Sequence, residues 1–119
     1  MRCKLALFTD SMLAVPLLQN LFNQNRLACI VVTENQYSPE TAQLIQLAKQ
    51  MNIPLLSYDS AQESQLFLGL DESQANIGVA FYFNRKLSDA VVNYFSEQMF
   101  NLHPGTLPQY RGRTLSIGN

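Results

Sequence analysis

The stretch from Ala28 to Tyr58, ACIVVTENQYSPETAQLIQLAKQMNIPLLSY, reads as strand, helix and strand in that order. Ala28–Thr33 (ACIVVT) is a continuous run of apolar and β-branched residues, suited to a strand covered on both faces. Ser38-Pro39-Glu40 is a helix start: a capping hydroxyl, a proline whose missing N–H costs nothing in the first turn, and an acid favoured by the helix dipole. Ile45, Ala48 and Met51 share one face of that helix, with Leu44 and Leu47 flanking it. Ile53–Tyr58 then makes a short strand. A strand, a helix and a second strand at this spacing form a βαβ unit, which brings the two strands together in parallel.

The same alternation extends in both directions. Lys4–Thr9 (KLALFT) is a first buried strand. Asp10 and Ser11 can cap the helix after it, with Pro16 in its first turn and an apolar stripe of Leu17, Leu18, Leu21 and Phe22. Beyond Tyr58, Gln62–Leu70 reads as a weak helix or irregular crossover, Ile77–Phe83 as a fourth strand, Ser88–Phe95 as a helix and Met99–His103 as a fifth strand. Arg113–Asn119 resembles the start of a further helix. The fold class expected is α/β, a Rossmann-like three-layer domain with a mostly parallel sheet. Residues 1–119 are expected to form a single, incomplete domain that stops short on its C-terminal side, which would leave a sheet edge exposed and favour self-association.

Composition narrows the function. The chain is 47% apolar and 14% charged with a formal charge of -1, so it is globular and carries no field for gripping nucleic acid. One histidine and two cysteines without a CxxC pair supply no zinc ligand set, and no metal is expected. Cys3 and Cys29 read as buried structural thiols. No apolar run approaches the roughly 18 residues of a membrane span, and the N-terminus does not read as a cleavable leader, so a cytoplasmic location is expected.

In an open parallel sheet, ligands bind beyond the carboxyl ends of the strands. The turn after the first strand, Thr9-Asp10-Ser11-Met12, has no glycine to let backbone amides approach a phosphate, and Asp10 would repel one. Two segments remain. Tyr82-Phe83-Asn84-Arg85-Lys86-Leu87 follows strand four and, taken alone, is most simply a solvated loop, with Phe81–Phe83 as core or crevice wall. Asn101 to Gly112 (NLHPGTLPQYRG) follows strand five. Asn101 and His103 are two residues apart on an extended chain and so face the same way. A lone histidine in a loop is commonly structural, but here prolines and glycines stiffen the turn around it, as a site requires.

The Asn101–Gly112 run resembles the motif Asn-x-His-Pro-Ser-Leu-Leu-Pro-x-Tyr/Phe-Arg/Lys-Gly of the folate-dependent formyltransferases, the family of glycinamide ribonucleotide, methionyl-tRNA and sugar-nucleotide formyltransferases. Weaker likeness extends upstream, in Leu13–Leu18, Ile30–Thr33, Asn52–Leu55 and Arg85–Ser88. The resemblance implies transfer of a formyl group from 10-formyltetrahydrofolate to an amine. Asn101 and His103 would be catalytic, the amide and the protonated ring stabilising charge on the formyl oxygen. Phe83, Asn84, Arg85, Lys86 and Leu87 would line the pterin pocket, Gly105, Thr106, Leu107 and Pro108 would border the folate, and Tyr110 and Arg111 would bind the acceptor.

Three departures accompany the resemblance. The family's catalytic Asp lies beyond the histidine, and no Asp or Glu follows Glu97 here; Gly105-Thr106 stand where Ser-Leu is usual; and Lys86 replaces an apolar residue. The run Arg111-Gly112-Arg113-Thr114 also differs from the Arg-Gly-Ala-Ala-Pro of the tRNA enzymes. A small amine, a sugar nucleotide among the candidates, is therefore the acceptor expected of the full-length parent. The other reading is a non-catalytic module that binds folate or a partner protein.

Overall fold

The structure is a computed structural model that describes residues 3–34, 38–104 and 113–117, with His103, Pro104 and the last stretch as backbone only. The first strand, β1, is Leu5–Phe8; a 3-10 turn at Met12–Ala14 leads into α1, Val15–Asn23. Then come β2 (Leu27–Thr33), α2 (Pro39–Gln50), β3 (Leu55–Tyr58), α3 (Glu63–Ser73), β4 (Ile77–Phe81), α4 (Asp89–Tyr94), β5 (Met99–Pro104) and β6 (Arg113–Ile117). The sheet order is β3-β2-β1-β4-β5-β6, and every neighbouring pair is parallel. The chain steps outward from β1 through β2 to β3, then returns to β4 on the other side of β1. The β1/β4 boundary is therefore the topological switch point.

Strand alternation divides the interior into two cores. On one face Leu7, Ile30, Val32, Val79 and Phe81 pack with Leu18 of α1 and Leu44 and Ala48 of α2. On the other, Ala6, Phe8, Cys29, Val31, Ala80 and Met99 pack with Leu66 and Leu70 of α3, Val91 of α4 and Phe95. Seven successive residues of β2 are buried, as a central parallel strand covered on both sides requires. Ser38 caps α2 by accepting the Thr41 N–H at 3.1 Å, with Pro39 opening the helix. Its buried face is Thr41, Leu44 and Ala48, one step around from the face expected, so that Ile45 and Met51 pack only at the margin.

One open sequence expectation is decided and three are corrected. The segment after β3 is an eleven-residue helix, α3, which docks Leu66 and Leu70 into the core despite its weak pattern. Strand four ends at Phe81 rather than Phe83, because Tyr82 turns to φ 55°. Residues 113–117 form a sixth strand beside β5, in register from Phe100↔Arg113 to Pro104↔Ile117, and not the start of a helix. Cys3 precedes β1 and is exposed, so only Cys29 is a buried thiol. Among the described residues no helix is long and apolar enough to cross a membrane.

Two measurements test this packing. Gly78 on β4 lies under Phe95 and Met99: an added Cβ would stand 2.3 Å from the Met99 sulfur and 2.9 Å from the Phe95 ring. The thioether can swing aside but the wedged ring cannot, so Gly78→Ala should lose about 1–3 kcal/mol in urea unfolding. Burial also pushes the Cys29 thiol up from 9.0 to about 11, against a smaller opposing effect of a hydrogen bond with Ser73. Its stabilising contribution is complete below the unfolded value and is lost as the pH rises from about 9 to about 11, because the unfolded chain sheds the proton first. Wild type should lose about 2–3 kcal/mol more than Cys29→Ala across that window.

Candidate functional site

The carboxyl ends of β1, β2 and β4 meet at Asp10. This residue is 3% exposed, and its side chain is fully engaged. Oδ1 accepts the Thr33 N–H at 2.8 Å, and Oδ2 accepts the Thr33 hydroxyl at 2.6 Å and the Asn84 N–H at 2.9 Å. The Asp10 N–H in turn donates to the Tyr82 carbonyl at 3.1 Å. Asp10 thus ties the ends of β1 and β2 to the turn after β4, across the switch point. It does not cap the following helix: Ser11 does that, accepting the Leu13 N–H at 3.1 Å. Glu40, from the first turn of α2, accepts the Met12 N–H at 3.1 Å and the Ser11 hydroxyl at 3.3 Å. Glu40 thus takes the Met12 amide and the Ser11 hydroxyl the Leu13 amide, so these two N–H groups of the turn already have partners.

The turn after β4 places the residues expected to line a ligand crevice. Phe83 is buried, its ring edge-on to Phe8 at 5.6 Å and tilted on Tyr58 at 5.9 Å. Leu87 is buried beside it in the same core. Asn84, Arg85 and Lys86 are exposed between these two anchors. Phe83 and Leu87 therefore fix the ends of the loop while its middle faces solvent. The Tyr58 hydroxyl fastens the far end: it donates to Glu63 at 3.2 Å and accepts the Ser88 N–H at 3.3 Å. Burial holds this phenol above its ordinary range, opposed by the Ser88 hydrogen bond and reinforced by Glu63. Arg85 borders a hollow of about 150 Å³ with Glu34, Tyr58, Asp59 and Ser60.

Asn101 lies on β5 in register with Ala80 of β4. It is 6% exposed, and its Nδ2 is buried with no hydrogen-bond partner among the described residues. An amide donor sealed from water and left unpaired costs about 1–3 kcal/mol. Such a donor calls for a partner beyond the described residues. His103 follows two residues on in the same strand, its backbone in register with Ser116. Gly105 to Pro108, Tyr110 and Arg111 lie outside the described residues.

The fold is similar to that of a known solved structure. Glycinamide ribonucleotide transformylase 1 from Geobacillus kaustophilus superposes with a TM-score of 0.70 at 17% identity, covering 94% of this chain and 63% of that one. The methionyl-tRNA formyltransferase of Mycoplasma genitalium is 27% identical over 118 residues, covering 92% of this chain. That of Bacteroides thetaiotaomicron is 36% identical over 77 residues, covering 65%. The chain is thus similar to formyltransferases in sequence and in fold. It spans 37% and 22% of the lengths of these two enzymes. No family model matches the chain.

The Asp10 brace and the Tyr82 backbone are the features that sequence reasoning missed. Thr9-Asp10-Ser11 offers two adjacent capping residues, and nothing local says which one caps. The signal that existed was at a distance: Thr33, a hydroxyl at the end of an otherwise apolar strand, needs a buried partner.

Proposed function

We propose that this chain contributes the donor-binding half of a formyl-transfer site, using 10-formyltetrahydrofolate and an amine acceptor in the full-length parent. The observation that carries the reading is the Asn101 amide, unpaired among the described residues and buried on β5, beside β4. The residues present fit such a donor. An unpaired N–H is suited to a carbonyl oxygen, and the Asn84–Lys86 loop offers polar groups at the rim.

When bound, the folate supplies an activated formyl carbon. The chain's own part is electrostatic. Asn101 Nδ2 donates to the formyl oxygen and strengthens that bond as the oxygen gains negative charge. Because the amide is already desolvated and fixed, no reorganisation is needed at the moment of attack. His103 holds the proton that complements this charge, or takes the one the amine loses. Asp10 and Tyr58 keep the two ends of the 82–88 loop in place so that the donor meets a preformed wall. A small amine, for example on a sugar nucleotide, is the acceptor that this reading favours.

Titrating 5-formyltetrahydrofolate, a stable analogue, into the chain by calorimetry tests the proposal. Binding is expected, weakened about tenfold by His103→Ala through loss of one charged hydrogen bond. Absence of binding to a chain whose circular dichroism shows a folded α/β domain would sink the reading.

A further inference from the structure

Glu34 and Asp59 directly follow β2 and β3, and the Glu34 N–H donates to the Tyr58 carbonyl at 2.9 Å, which ties the two strand ends together. Both residues border two hollows, one of about 290 Å³ and one of about 150 Å³. β1 and β4 separate this corner of the sheet from Asn101 on β5. Two carboxylates alone would be no more than a solvated rim. The smaller hollow is also bordered by Arg85, and among the described residues its guanidinium forms no ion pair with either carboxylate. Opposite charges thus face one cavity without closing it. Asp59 is held in place because its Oδ1 accepts the Ala61 N–H at 2.9 Å. The larger hollow is lined differently, by Leu56 and the buried Leu66 on its apolar side and by the exposed Gln62 and Gln65 at its rim. The Gln62 side chain makes no capping bond to α3, which leaves its amide available.

We propose that the two hollows together bind a free α-amino acid as its zwitterion. The ammonium sits between Glu34 and Asp59, which when ionised offer acceptors and no donors. The carboxylate takes the Arg85 guanidinium, whose planar fork matches a carboxylate in paired hydrogen bonds. The side chain extends into the larger hollow along Leu56 and Leu66, with the two glutamine amides at its edge. Each charge of this ligand answers one that the protein leaves unneutralised. A plain anion would meet two carboxylates, and a plain cation would leave Arg85 unanswered. Both hollows fall below the roughly 300–1,000 Å³ typical of pockets for drug-sized ligands, so the ligand is small. The inference does not rest on the formyl-transfer reading: it uses neither Asn101 nor His103, and only the Arg85 side chain of the loop after β4.

Calorimetric titration of L-leucine and of L-glutamine, each beside its α-amide and its N-acetyl derivative, tests the zwitterion. At least one amino acid should bind, and the loss of either of its charges should weaken binding about tenfold, as the loss of one charge-assisted contact does. Arg85→Gln should weaken binding of the amino acid to a similar extent and leave that of the α-amide unchanged, since the α-amide has no carboxylate to present. Glu34→Gln should weaken the amino acid and leave the N-acetyl derivative unchanged. Residues with only a structural role would not sort ligands by charge in this way. Circular dichroism checks that both variants fold; if Glu34→Gln does not, Asp59→Asn, whose carbonyl can still accept the Ala61 N–H, replaces it. No binding of either amino acid to the folded chain overturns the inference. So does an α-amide or N-acetyl derivative that binds as tightly as the amino acid, or an affinity that both charge-removing variants leave unchanged.

Discussion

Asp10→Ala should lower the free energy of unfolding by about 3–5 kcal/mol, the largest loss expected from any single polar substitution in this chain. The carboxylate accepts three hydrogen bonds while almost wholly shielded from water. Hydrogen bonds to a charged group contribute about 1.5–3 kcal/mol each, and they do not add fully when they share one acceptor group. Removing the side chain also leaves the Thr33 N–H and hydroxyl unpaired at a residue that is 2% exposed. Asp10→Asn should lose less, since its carbonyl oxygen can still accept from Thr33, but its NH2 group would oppose the Asn84 N–H. The order wild type, Asn, Ala in urea unfolding is the expected result. A loss below about 1 kcal/mol in Asp10→Ala would mean that water replaces the carboxylate freely, and that the three strand ends are not tied through it.

The same residue shows what the sequence could and could not disclose. Periodicity and caps locate β2 and α2 almost to the residue, because an unbroken apolar run and a Ser-Pro-Glu start are local signals. Parallel pairing follows from the alternation of strands and helices, which needs no knowledge of side-chain contacts. α3 was hard to read because Gly69 and several polar residues dilute its stripe; its helix is secured by packing, with Gly69 so close to Leu56 that a Cβ would lie 2.4 Å from a methyl carbon. Tertiary contact of that kind leaves no periodic trace.

The site divides along the same line. Asn101 and His103 were legible as a pair because a strand repeats every second residue, and the structure places both on β5. Phe83 and Leu87 were legible only as loop members; that they anchor the loop in the core depends on Phe8 and Tyr58, which come from other strands. Asp10 was read through its neighbours in sequence, as a cap and as a repeller of phosphate. The cap passes to Ser11, since Asp10's partners lie 23 and 74 residues away. Tyr82 looked like strand because aromatic residues favour strands. A long-range clamp from Asp10 outweighs that preference.

Asn101→Leu should raise stability by about 1–2 kcal/mol and weaken 5-formyltetrahydrofolate binding by about tenfold or more. The two changes have a single origin. Folding buries Nδ2 without a partner among the described residues, so the folded state carries the desolvation cost of that group. Leucine has nearly the same shape and no polar atoms to desolvate, and the position is bordered by Met99 and Ala80, both in the apolar core. The substitution therefore removes a penalty without opening a cavity. Ligand binding loses the donor that the folded protein had held ready, and with it one charge-sensitive hydrogen bond. Most core substitutions move stability and function downward together, through misfolding. Opposite movement is the mark of a group retained for a ligand at the expense of the fold. Thermal unfolding and calorimetry on the same preparation distinguish the cases. If Asn101→Leu instead destabilises the chain by 1 kcal/mol or more, the amide has a structural partner, and the donor assigned to the formyl oxygen must be sought elsewhere on the rim of β5.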